Sequence, residues 1–200
     1  MSAPQARLAQ ASTRAAGLAG KIGIRVRDYR ELAGDPRYDK IVSIGMAEHV
    51  GPGGLPEYFA ILHDRLADDG LFLHHAITDA DPSSYSGASR WFRTRIFPNS
   101  ELDTIGHTLM AAEAAGFRVL HCACWSAHYG ETLRRWLQNL RAHAPSAIEL
   151  AGRATYRAYL LYFAGCAAAF DAGRVSVHQT LLAKRGRAAP PLPARAELGF

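Results

Sequence analysis

The chain reads as an α/β fold, and three observations point to it. Ile41-Val42-Ser43-Ile44 is a short run rich in β-branched residues, the mark of a buried strand, and Gly45, Glu48 and Gly51 follow as a loop. Leu71-Phe72-Leu73-His74-His75-Ala76-Ile77 is a second run of the same kind. Between them Leu55, Tyr58, Phe59, Leu62 and Leu66 recur at helical spacing, so a helix separates the two strands.

The remaining elements follow in order. Ser2-Ala3-Pro4-Gln5 has the form of a capping box; it opens a helix to Ala16, which Gly17 ends. Ile22, Ile24 and Val26 alternate with Gly23 and Arg25, the period of a strand, and Asp28-Tyr29-Arg30 lies at its end. Asp68-Asp69-Gly70 turns the chain into the second central strand. Residues 79–99 read as a polar loop carrying aromatics, and a loop of that length is often functional. Ser100-Glu101-Leu102-Asp103 caps a helix with the stripe Leu102, Ile105, Leu109 and Ala112, ended by Gly116. Residues 117–125 read as a strand, and Leu133, Trp136, Leu137 and Leu140 mark a helix. Residues 148–170 form a long apolar helix and residues 175–183 a last strand. The tail from Arg185, with Pro190, Pro191 and Pro193, reads as disordered. The expected organisation is therefore one domain over 1–184 and a tail over 185–200.

Composition narrows the function. A length of 200 residues with 48% hydrophobic content suffices for one domain with a real core. No apolar run is long enough to span a bilayer, and from the polar, alanine-rich segment after Met1 no signal peptide is expected. Three cysteines make no disulfide framework, so the expected compartment is the reducing cytosol. The net charge of +5 is scattered apart from Lys184-Arg185-Gly186-Arg187, and no nucleic-acid motif accompanies it. It reads as a solvated surface or as attraction to anionic lipid, where a nearby basic residue contributes about 1 kcal/mol.

In open α/β sheets ligands bind beyond the C-terminal ends of the strands. Glu48 sits there, free to do chemistry, cap the next helix or pair with an arginine. His74 and His75 are adjacent on a strand and must point to opposite faces, so only one can share a crevice with Glu48. Tyr129 precedes a helix, where it can pack its ring and expose its hydroxyl. Cys166 lies in an apolar stretch, where a cysteine usually behaves as a small hydrophobe. Cys122 and Cys124 share a strand face that His121 does not, and no second cysteine pair exists, so no metal site is expected.

IVSIGMAEHVG, DDGLFLHHAIT, RIFPN, HYGETLRRW and LLYFAGCAAAF, in this order, resemble the cyclopropane-fatty-acyl-phospholipid synthase family, which includes the mycolic acid cyclopropane synthases. The resemblance covers residues 2–184. It implies a Rossmann-like class I methyltransferase sheet, here incomplete: the first two strands and the glycine-rich GCGWG-type loop have no counterpart. In that fold the strand after the longest helix inserts antiparallel beside the fifth strand. The resemblance implies transfer from S-adenosylmethionine to a cis double bond of a phospholipid acyl chain, with bicarbonate as base. Glu48, His75, Tyr129 and the backbone of Ile77 would bind bicarbonate. Glu48, His75, Tyr129 and Cys166 would be catalytic, and His74 would face away. Asp28, Tyr29 and Arg30 would lie near the adenine of the methyl donor, or form a surface turn.

The expected location is the cytoplasm, with peripheral attachment at the inner face of the membrane as the further option. Without the glycine-rich loop, weak or absent binding of S-adenosylmethionine is expected. The alternative is a non-catalytic fragment or lipid-binding module. Residues 22–26 are expected to pair directly with residues 41–44. An uncovered apolar face would favour a homodimer or docking of a separate N-terminal half.

Overall fold

The structure is a computed structural model that describes residues 2–32, 34–83 and 87–187. The chain divides into two compact units, Met1–Pro36 and Arg37–Phe200. In the first, α1 spans Ala3–Ala15. The capping box is present: Ser2 Oγ accepts the Gln5 amide, and the Gln5 side chain accepts the Ser2 amide at 2.9 Å. A 3-10 turn over Tyr29–Leu32 closes the unit. The strand expected at residues 22–26 does not form. Alternation alone does not make a strand; its amides and carbonyls need a partner strand. Here the Gln10 side-chain amide takes the Ile24 carbonyl at 3.2 Å instead.

The second unit carries the sheet. β1 (Tyr38–Ile44) leads through a one-turn α2 (Ala47–Val50) and α3 (Leu55–Arg65) to β2 (Leu66–Asp79). The turn expected at Asp68-Asp69-Gly70 survives as an irregularity inside β2, since the ladder steps from Tyr38–Leu66 to Lys40–Leu71. Next come α4 (Gly87–Arg95), α5 (Ile105–Ala114) and β3 (Phe117–Cys124). Then α6 (Ser126–Ala142) and α7 (Ala144–Asp171) form a hairpin before β4 (Val175–Lys184).

The sheet order is β1-β2-β4-β3. β1 and β2 are parallel, and β4 runs antiparallel between β2 and β3, where the resemblance put the last strand.

The sheet is covered on both faces. On one, Tyr58, Phe59 and Leu62 of α3 pack with Phe72 and Phe117; the Phe72 and Phe117 rings lie 5.6 Å apart. On the other, Leu133, Ala167 and Phe170 of the α6–α7 hairpin pack on Val177. β1 differs. Among the described residues no strand pairs with its second edge, and Val42 and Ile44 are 60% and 66% exposed. The expected closure by residues 22–26 is thus absent.

Two further expectations change. Residues 79–99 are not all loop: α4 forms within them, and Phe92 and Phe97 meet the Tyr162 ring of α7 at 5.7 and 5.6 Å. Its polar composition hides it, because this helix is ordered by tertiary aromatic contacts rather than by an apolar stripe. The cap of α5 is Thr104, whose hydroxyl accepts the His107 amide at 3.1 Å, whereas Ser100 bonds the Phe97 carbonyl. α7 starts before residue 148 and is broken at Gly152, where φ is 81°. The expected tail lies, from residue 188 on, outside the described residues. Among the described residues no helix is long and apolar enough to cross a membrane.

Candidate functional site

Gly45, at φ 63°, turns the chain out of β1, and its amide still reaches the His75 carbonyl at 3.0 Å. That turn places α2 over the C-terminal ends of β1 and β2. Glu48 Oε1 then accepts the Ile77 amide at 2.8 Å. Glu48 Oε2 is buried with no hydrogen-bond partner among the described residues. A buried acceptor left this way costs about 1–3 kcal/mol, so the site is built for a donor.

The β2 pleat separates the two histidines. His75 Nε2 lies 2.9 Å from the Tyr129 hydroxyl of α6, and its Nδ1 lies 3.1 Å from the Gln179 side-chain nitrogen of β4. His74 turns to the opposite face, where its Nδ1 lies 3.3 Å from the Tyr58 hydroxyl among Phe59 and Phe72.

Burial holds the His75 pKa below its usual value, and the Glu48 charge opposes that shift. Burial, and then the same charge, raise the Tyr129 pKa. Near neutral pH the site therefore presents a neutral imidazole and a protonated phenol beside a carboxylate. Such a set offers both a donor and an acceptor to a small ligand.

The other expected residues fall as follows. The Ile77 amide is engaged by Glu48, so it orients the carboxylate rather than standing free for an anion. Cys166 packs against the core of the α6–α7 hairpin, as Tyr129 and Phe163 also do. Burial pushes its thiol up to about 11, which favours the protonated form near neutral pH.

Asp28, Tyr29 and Arg30 belong to the first unit. The Arg30 guanidinium holds the Asp28 carboxylate at 2.6 Å and sits 5.7 Å from the Tyr29 ring centre. No group of His, Cys, Asp or Glu among the described residues is arranged to hold a metal ion.

Gln179 was not foreseen. Its signal was in the sequence: an amide in the row Val175, Val177, Gln179 and Leu181 that β4 turns to one face.

Comparison with known proteins gives the following. The family model for mycolic acid cyclopropane synthetase matches residues 1–180. A probable fatty acid methyltransferase of Pseudomonas putida is 35% identical over 188 residues, covering 92% of this chain and 48% of that protein. The structure of the cyclopropane synthase MmaA2 from Mycobacterium tuberculosis superposes with a TM-score of 0.82 at 27% identity, covering 92% of this chain and 67% of that one. That of mycolic acid cyclopropane synthase CmaA1 complexed with SAH and CTAB gives 0.79 at 29% identity, with the same coverage. The chain spans about half the length of the curated relatives it matches.

Proposed function

Since the chain belongs to the mycolic acid cyclopropane synthetase family, we propose that it supplies the base side of a site for S-adenosylmethionine-dependent transfer to a cis double bond in a phospholipid acyl chain. One observation carries this reading: the buried Glu48 Oε2 lacks a donor beside the Tyr129–His75 pair. Bicarbonate suits that set, because it has one O–H to give and oxygens to receive. Glu48, His75 and Tyr129 would hold it, and it would supply a base for the proton lost as the ring closes.

The chain's own groups prepare the site. The Ile77 amide fixes Glu48 through Oε1 and leaves Oε2 for the ligand. The Glu48 charge would also stabilise positive charge developing on the alkene, which matters most where water is excluded. The rings of Phe92, Phe97, Tyr159, Tyr162 and Phe163 form a continuous aromatic wall suited to an acyl chain.

Residues 28–30 do not by themselves fit the methyl donor. Arg30 occupies both Asp28 and the neighbourhood of the Tyr29 ring. The unpaired edge of β1 favours a second reading, in which the chain works only with a further polypeptide that completes the sheet.

The test mixes the chain with labelled S-adenosylmethionine and vesicles of unsaturated phospholipid. It is run with and without bicarbonate, and with and without the N-terminal portion of the Pseudomonas putida relative. The expected result is label in the lipid that requires that portion and bicarbonate and is lost in Glu48→Gln. Label without that portion would remove the second reading. No label in any mixture, although S-adenosylmethionine binds, would sink the first.

A further inference from the structure

Gln179 is the polar residue of a row otherwise given to packing. Val177 beside it is fully buried against the α6–α7 hairpin, and Gln179 itself is half-buried. An amide in such a place costs stability unless it is bonded. Its position is set by the ladder: Gln179 and His75 are direct cross-strand partners, so their side chains rise on the same face. The Gln179 nitrogen then faces His75 Nδ1 at 3.1 Å, and His75 Nε2 faces the Tyr129 oxygen at 2.9 Å.

The polarity of this chain of bonds follows from donor and acceptor chemistry. An amide nitrogen can only donate, so Nδ1 must accept, and a neutral imidazole then carries its proton on Nε2. That proton is given to the Tyr129 oxygen. The phenol's own proton is thereby left for something else, on the side of Glu48. With the opposite amide orientation every bond reverses: the phenol gives its proton to Nε2 and keeps none for a ligand.

We propose that Gln179 is a positioning residue that holds His75 as its Nε2–H tautomer and so keeps the Tyr129 hydroxyl proton available to the ligand of the site. This rests on the reading of the site as one that binds an anion. The groups facing His75 are Tyr129 from α6, Gln179 from β4 and, through its charge, Glu48 from α2. His74 points to the other face of the sheet.

The test is two-bond 15N–1H correlation of the histidine rings in the uniformly labelled chain near neutral pH, with the His75 signals assigned by their loss in His75→Asn. The wild type should show a protonated Nε2 and a bare Nδ1. Gln179→Glu, which can only accept at Nδ1, should move the proton to Nδ1 and raise the His75 titration midpoint by about one unit or more. Gln179→Met keeps the volume without the donor and should give a mixed pattern; it carries the test if the charged variant fails to fold. An Nδ1–H wild type, or an unchanged pattern in Gln179→Met, overturns the proposal. The spectra need no methyl donor or lipid, so failure of the proposed reaction leaves this result readable.

Discussion

Replacing His74 by leucine should remove much of the chain's loss of stability in acid. His74 is 2% exposed, bonded to Tyr58 and surrounded by Phe59 and Phe72. Burial lowers its pKa from 6.5 to about 4, and the His75 beside it adds to the shift. The sign follows from proton binding. Below about pH 6.5 the unfolded chain takes up a proton at this position that the folded chain refuses, so stability falls as the pH drops towards 4. A pKa unit corresponds to about 1.4 kcal/mol, so the full shift is on the order of 3 kcal/mol, of which roughly 2 kcal/mol is lost by about pH 5. His63, His75 and His178 are also held low by burial, but they are common to both proteins and cancel in the difference. The lost Tyr58 bond, about 1 kcal/mol, is a cost at both pH values and cancels too. Urea unfolding at about pH 7.5 and about pH 5 gives four free energies. His74→Leu should lose roughly 2 kcal/mol less than wild type between the two conditions. Equal losses would show that His74 is not buried as a neutral ring.

Other consequences follow from the same structure. The exposed Cys124, whose pKa is lowered chiefly by the Ser126 hydroxyl 2.9 Å away, should react with iodoacetamide well before Cys166, which burial pushes up to about 11; peptide mass spectrometry of a timed reaction would show the order, and early labelling of Cys166 would contradict its packing. Placing lysine at Ile44, on the unpaired edge strand, should reduce self-association in light scattering with little change in unfolding midpoint, because charged edge residues block strand addition. A wild type that is monomeric at high concentration would show that this edge is not sticky.

Much of this was legible in the residues. The alternation of a strand requires His74 and His75 to part company, and the resemblance indicated which one faces Glu48. The strands at residues 41–44 and 71–77 were readable because both are nearly continuous apolar runs, although only the second is buried: β1 is an edge strand with Val42 and Ile44 exposed. Residues 22–26 misled because period-2 alternation reports a pattern, whereas a strand exists only with a partner to bond. α4 was missed because its Phe92 finds its aromatic contact on α7, far along the chain. The cap of α5 slipped from Ser100 to Thr104, since several capping residues stood within one turn of each other. Gln179 was overlooked because its meaning lies in the register of β4 against β2, which the sequence does not display.

The central claim is that Glu48, His75 and Tyr129 form a site for bicarbonate. Titration of the 15N-labelled chain with bicarbonate at constant pH and ionic strength tests it directly, with chloride as the control. The account predicts saturable shifts in the His75 ring and the Ile77 amide. They should weaken about tenfold in Tyr129→Phe, the loss expected for one hydrogen bond of about 1.4 kcal/mol, and vanish in Glu48→Gln. Shifts that match those from chloride, or that survive unchanged in both variants, would contradict it.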